Sequence, residues 1–513
     1  MSDTLPTNWE QWLLADVGEW FGGGTPSSSN TQFWDGKIPW VSPKDMKVAS
    51  VTSTQDRITL AAVRNSAVKL ISAGSVLFVT RSGILAHSFP VATTKVRVTV
   101  NQDLKAITPV EVVDHHYLAW LLRALERQIL TTCSKHGTTV HSIEIPTLKD
   151  LRVPIPPPAE QCRIVAKIEV LFSELDQGIE SLRTARKQLT AYRQAVLKHA
   201  FEGKLTALWR DRNKDKAESA GCLIARIKKE RELHYQSKIS AWKIAPDESG
   251  GKPRPPKTFG PLTGEESDGL RSLPDSWIWE KLGWMTCGVE YGTAAKSSES
   301  GSVPVLRMGN IQNAKFDWAD LVYTSDDDEI LKYSLRAGDV LFNRTNSPEL
   351  VGKTAIYRGE RPALFAGYLI RINQIPSIVD SQYLNLFLNS PAARQQGNHV
   401  KTDGVNQSNI NGEKLSNYPF PYCSLAEQRE VVKLLEEKLS VIDQLEEDVE
   451  RELKKSEALR RSILRKAFLG QLVEQDPNEE SASVLLERIR AEKEGNGVSR
   501  KKNNKSNGKK EAA

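Results

Sequence analysis

The sequence predicts an α+β protein built twice over: two tandem, β-rich globular modules and two long helices that form an intramolecular antiparallel coiled coil about a pseudo-two-fold axis. Three observations predict it. The stretch AEQCRIVAKIEVLFSELD at 159–176 returns as AEQREVVKLLEEKLSVID at 426–443. Apolar residues recur every seven positions through both stretches, the mark of a helix that packs along another helix. Each is preceded by about 150 residues of short β-branched and aromatic runs broken by Gly, Pro and Ser, the texture of a mixed, strand-rich domain.

The repeat is a full internal duplication. A constant 267 positions separate Ala159 from Ala426 and Phe201 from Phe468. LPTNW (5–9) is echoed by LPDSW (273–277), AGSVLF (73–78) by AGDVLF (337–342), VDHHYL (113–118) by VDSQYL (379–384) and ESAGCLIARIKKE (218–230) by ESASVLLERIRAE (480–492). The first module occupies 1–155. VPIPPP then forces an extended entry, because proline restricts both its own φ and the residue before it. A spacer helix fills 156–203, with Ile168, Leu175, Leu182, Leu189 and Val196 on one line and Phe172 and Ile179 beside it. Gly203 stops it. Residues 204–272 hold a small helix and a connector, SGGKPRPPKTFGPLTGEESDG, whose Pro, Gly and charge predict exposure. The second module covers 273–422. Its helix, 423–470, aligns Leu435, Ile442, Val449 and Ile463 with Leu439 and Leu453 alongside, and stops at Gly470. Some 44 helical residues make a rod on the order of 65 Å. Residues 471–513 add a small helix and a basic, Asn/Lys-rich tail without periodicity, expected to be disordered.

Composition narrows the function. With 39% hydrophobic and 26% charged residues the chain reads as globular, and no apolar run reaches the roughly 18 residues of a membrane span. MSDTLPTNWE lacks a secretion signal, and five scattered cysteines without CxxC spacing predict reduced thiols, so a cytoplasmic location is expected. The formal charge is +6, but the last 16 residues hold six Lys/Arg against one Glu; a nucleic-acid surface must arise from local segregation of charge. Chemistry-bearing motifs fail in turn. SPELVGKT (347–354) has Ser347 where a phosphate loop needs its first glycine, and no helix pattern follows. Cys133, His136 and His141 lack a fourth zinc ligand. NYPF (417–420) lacks the paired prolines of a methyltransferase loop, and neither HExxH nor GxSxG occurs. The expectation is a non-catalytic protein that holds neither cofactor nor metal.

The duplicated module, its AEQ-started helix and the endings AFEGKL and AFLGQL resemble the specificity subunit of type I restriction-modification systems. GGGTPSSSNTQFWDGKIPWVSPKDM (22–46), PIPPPAEQCRIVAKI (154–168), SVPVLRMGNIQN (302–313) and PFPYCSLAEQREVV (419–432) carry the likeness across nearly the whole chain. The resemblance implies that each module is a target recognition domain reading one half of a bipartite, asymmetric sequence in double-stranded DNA, with the helices as the ruler for the unread gap. It implies as partners two methyltransferase subunits, which bring S-adenosylmethionine, and ATP-hydrolysing restriction subunits, with no membrane.

Bases are read by matched donors and acceptors, and phosphates by Lys, Arg, hydroxyls and amides. In the first module the candidates are Ser42, Lys44 and Asp45; Thr80 and Arg81; and Lys135, His136 and Thr138. In the second they are Arg307 and Asn310; Arg344, Thr345 and Asn346; and Lys401, Asn406, Gln407 and Asn409. Trp34 and Trp40 are expected in the core. Two rival readings remain open: a coiled-coil adaptor without DNA specificity, and a self-contained restriction or modification enzyme.

Overall fold

The computed structural model describes residues 5–135, 140–216, 218–244, 252–405, 407–484 and 487–488. The chain divides into two compact units, Met1–Arg183 with Glu450–Ala513, and Thr184–Val449. These are not the two sequence copies. Each unit combines one module with the near part of its own long helix and the far part of the other's.

In the first unit a five-stranded sheet runs in the order Gly18–Gly22, Leu104–Pro109, Val76–Val79, Val91–Thr94, Ser50–Val51. Its central strand, VLFV, is buried at every residue, which is why the sequence there is continuously apolar rather than alternating. A second sheet sets Trp34–Val41 parallel to Thr99–Val100. Glu10–Leu13 pairs antiparallel with Arg152–Ile155, tying the module's first strand to its last. The second unit repeats this plan: a four-stranded sheet in the order Thr286–Tyr291, Leu369–Gln374, Val340–Asn343, Thr354–Ile356, and a closing pair of Ile278–Lys281 with Pro419–Tyr422.

The long helices are Pro158–Phe201 and Leu425–Phe468. In the first unit Ile164, Ile168 and Phe172 share a core with Ile463, Ala467 and Phe468, and Asp176 pairs with Arg460. In the second unit Val196, Leu197 and Phe201 share a core with Val431 and Leu435, and the Arg193 guanidinium donates to Asp443 at 2.6 Å and to Glu446 at 3.0 Å. In each unit, positions rising along one helix meet positions falling along the other, so the segments pair antiparallel. Of the predicted seam residues, Ile168, Phe172, Val196, Leu435, Ile442 and Ile463 are buried, and Leu175, Ile179, Leu182, Leu189, Leu439, Val449 and Leu453 are half-buried.

Two devices, present in both units, explain the repeated motifs. The glutamine of each AEQ is fully buried at the helix start. Gln161 donates to the carbonyls of Val112 (3.0 Å) and Pro156 (2.9 Å) and accepts from the Asp114 amide (2.8 Å). Gln428 does the same with Ile378 (3.0 Å), Cys423 (2.9 Å) and Asp380 (3.0 Å). The tyrosines of VDHHYL and VDSQYL, Tyr117 and Tyr383, donate to Pro154 and Pro421 carbonyls, each at 2.8 Å, and burial drives both phenols well above their ordinary range. At the helix ends Gly203 and Gly470 adopt φ of +71° and +70°. A Cβ on Gly470 would strike Pro6 of LPTNW, and one on Gly203 would strike Pro274 of LPDSW. Each module's opening proline therefore sits on the terminal glycine of the other copy's helix.

The connector is anchored at named points. Helix Ala220–Ile244 continues well past the repeated segment, and Arg231, buried within it, donates to the carbonyls of Gly283, Trp284, Thr286 and Lys257 at 2.6–3.0 Å. Phe259 packs over Gly283, with Trp284 edge-on to it at 5.9 Å. These contacts tie the helix and the connector to the module, while most described residues of 252–272 stay exposed and none is buried. The basic tail from 498 lies outside the described residues.

Candidate nucleic-acid interface

The predicted loops converge in the first module around one turn, Asn101–Gln102–Asp103. The Asn101 amide donates to Val41, at the end of the strand leading into Ser42–Asp45 (2.9 Å). The Asp103 carbonyl accepts from the amides of Thr80 (2.7 Å) and Arg81 (3.2 Å), and its carboxylate holds the Arg81 guanidinium at 2.6 Å. Arg81–Ser82 then forms the edge of a three-stranded sheet with His141–Ile143 and Ser134–Lys135. The Arg81 and Lys135 side chains are 58% and 73% exposed, so both reach solvent while anchored at one end. Lys135 donates to Glu144 at 2.5 Å and Lys44 pairs with Asp56 at 2.8 Å; these hydrogen bonds raise both lysines above their ordinary range and keep them charged.

The second module repeats this backbone frame with other side chains. Ala366 donates to Leu306 (2.9 Å) as Asn101 does to Val41, and Arg344 donates to the Tyr368 carbonyl (3.0 Å) as Thr80 does to Asp103. The Ile410 amide donates to the Arg344 carbonyl (2.9 Å) as Ile143 does to Thr80 (2.8 Å). Thr345–Asn346, Ser408–Asn409 and Thr402–Asp403 form the matching sheet in the same order. Register makes the exchanges explicit: Arg81 opposite Ser142 corresponds to Thr345 opposite Asn409, and Ser82 opposite His141 to Asn346 opposite Ser408. Lys135, which also faces Ser142, corresponds to Thr402 facing Asn409. Arg344 stacks over Tyr291, 4.9 Å from the ring centroid.

Several of the predicted residues make hydrogen bonds within their own loops. Ser42 is 6% exposed, and its amide and hydroxyl donate to Asp45 at 2.9 and 2.8 Å, which also occupies that carboxylate. Thr80 is equally buried, its hydroxyl on the Asp103 carbonyl at 3.0 Å. Asn310 is 3% exposed; its amide group holds the carbonyls of Asp317 (3.0 Å) and Asp320 (2.9 Å). Thr345 and Asn409 bond each other at 2.7 Å, Asn346 accepts from Ser347, and Lys401 reaches the Pro348 carbonyl at 3.1 Å. Arg307 pairs with exposed Asp320 at 3.1 Å. Gln407 is exposed. His136, Thr138 and Asn406 lie outside the described residues. Trp40 is buried and Trp34 half-buried against it, edge-on at 5.3 Å. Sequence reasoning missed Asp103, His141, Ser142, Thr402 and half-exposed Tyr368. Strand register alone makes most of them visible, although the alignment of AGSVLF with AGDVLF pointed to the same edge.

Among the described residues no cluster of His, Cys, Asp or Glu could hold a metal ion, and no helix is long and apolar enough to cross a membrane. A family model for the type I restriction modification DNA specificity domain matches residues 6–182 and 290–455. The chain is 40% identical over 188 residues to the EcoR124I/EcoR124II specificity subunit of Escherichia coli, covering 36% of this chain and 46% of that one. It is 27% identical over 383 residues to the EcoKI specificity subunit of E. coli K12, covering 71% and 70%. The matched region thus spans about half of the first relative. Among solved structures, a chain from a study of complex assembly and conformational transition of the type I R-M system superposes with a TM-score of 0.62 at 18% identity over 91% of this chain and 99% of the other. The HsdS subunit from Thermoanaerobacter tengcongensis gives 0.50 at 18% identity over 91% and 98%. Two modules of one backbone frame, two AEQ-started helices and a family match across both copies lead to one conclusion: the chain belongs to the type I restriction modification DNA specificity family.

Proposed function

We propose that this chain is the non-catalytic reader of a bipartite, asymmetric double-stranded DNA target, each module recognising one half, and that it seats two methyltransferase subunits and the restriction subunits of its system. The observation that carries the reading is the repeated frame: the same turn and three-stranded edge in both units, with Arg81, Ser142 and Lys135 exchanged for Thr345, Asn409 and Thr402. A constant backbone with varied donors and acceptors is what two readers of different text require, since specificity resides in the pattern each side chain presents to base edges. The long helices, whose residues belong partly to each unit, set the unread gap in this reading.

The test is selection from a random DNA pool by the chain assembled with its methyltransferase partner. Recovery of two unlike half-sites at fixed spacing supports the proposal. Recovery of no motif favours an adaptor, and methyl transfer by the chain alone favours an enzyme. Adding one heptad to both helices should change the gap and leave both half-sites intact.

A further inference from the structure

The docked connector creates a cavity of about 580 Å³ within the second unit. Helix Ala220–Ile244 supplies Arg231, His234 and Lys238, which share one helical face by their spacing, and the following segment supplies Arg254 and Lys257. Glu413 is the one acidic residue among the described residues lining it. Arg231 is committed to backbone carbonyls, whereas Lys238, Arg254 and Lys257 are exposed and have no carboxylate partner among the described residues. Three cations without a carboxylate partner among the described residues, gathered around a cavity, are an electrostatic site for phosphate groups.

Two features indicate whose phosphates these are. Tyr291, 41% exposed, forms one wall of the cavity and is also the ring beneath Arg344, so the cavity adjoins the candidate reading edge of this module. The Gly412 amide donates to the Tyr291 hydroxyl at 2.9 Å, and Gly412 lies three residues beyond Asn409 on that edge. The connector, moreover, falls in the stretch between the two family-matched segments, 6–182 and 290–455. We propose that the connector is a DNA-contacting strap: Lys238, Arg254 and Lys257 bind backbone phosphates flanking the half-site read by the second module.

This inference rests on the DNA-reading function proposed above, and the experiment separates the two. The whole chain with its methyltransferase partner is compared with the Lys238→Ala/Arg254→Ala/Lys257→Ala variant, all three positions being exposed. Binding to the selected target is measured across a salt series, with phosphate ethylation interference on both strands. The expected result is an unchanged selected sequence, weaker binding to all sequences by a similar factor, a salt slope smaller by about 3, and loss of interference only beside the second half-site. An unchanged slope and interference pattern overturns the strap while leaving the reading function intact. A parallel arm adds inorganic phosphate or dAMP without DNA: a thermal shift that the variant abolishes, with DNA binding unaltered, also overturns it in favour of a small-molecule site. If the unaltered assembly selects no sequence at all, the parent proposal fails first.

Discussion

Replacing the buried glutamines by leucine tests the architecture most directly. Gln161 and Gln428 are 0% exposed, and each satisfies two carbonyls and one amide in buried or partly buried bonds. Leucine is close in volume, so the cavity term is small and the cost is that of three backbone groups left unpaired. At about 1–3 kcal/mol for each unsatisfied group, with partial relaxation, the loss should be about 3–6 kcal/mol at either site. For a unit of roughly 250 residues that corresponds to a fall in melting temperature of about 10–20 °C. The sharper expectation is equality: the two sites share geometry to within 0.2 Å, so Gln161→Leu and Gln428→Leu should cost the same to within about 1 kcal/mol, each in the transition of its own unit. Gln161→Glu would set a carboxylate oxygen against the Val112 and Pro156 carbonyls; it should be at least as damaging at pH 8 and recover partly in acid, as protonation restores a donor. Calorimetry and urea unfolding of the full chain measure all three. A loss below about 1 kcal/mol at either glutamine would refute the claim that the AEQ motif exists to satisfy buried backbone.

Other consequences follow from single contacts. Asn343 is fully buried with neither side-chain atom bonded, where the aligned first copy has Val79; Asn343→Val should stabilise by about 1–3 kcal/mol, seen as a higher urea midpoint. Gly470→Ala forces a left-handed φ on a side chain and drives its Cβ into Pro6; a melting temperature within a degree of the parent would contradict that packing. Burial raises the Glu160 carboxyl above its ordinary range despite the Gln475 and Arg163 side chains beside it. The folded state therefore bears a penalty above its raised pKa that vanishes below the unfolded value, so Glu160→Gln should stabilise at pH 7 and have no effect in strong acid, as a pH series of unfolding midpoints would reveal. Arg81→Ala should relax one position of one half-site at a cost of about 1–3 kcal/mol; equal loss on every sequence would make Arg81 a phosphate contact.

The amino-acid sequence by itself determined the duplication, the two long helices and the β-rich modules, because periodicity, helix-stopping glycines and proline-forced entries are local properties that act wherever the chain goes. It also singled out the loop edges at 80–82 and 344–346, since a repeated strand ending in unlike polar residues is visible in one dimension. It did not reveal that each helix completes the core of the other copy's module, that Ser42, Thr80 and Asn310 face inward, or that Asp103 orients Arg81. Nor did it reveal that Arg231 docks the connector. Those outcomes depend on hydrogen bonds and packing between residues tens to hundreds of positions apart, and burial converts a polar side chain that would face solvent into a brace for backbone. Only the tertiary structure decides which of the two a given serine, threonine or asparagine becomes.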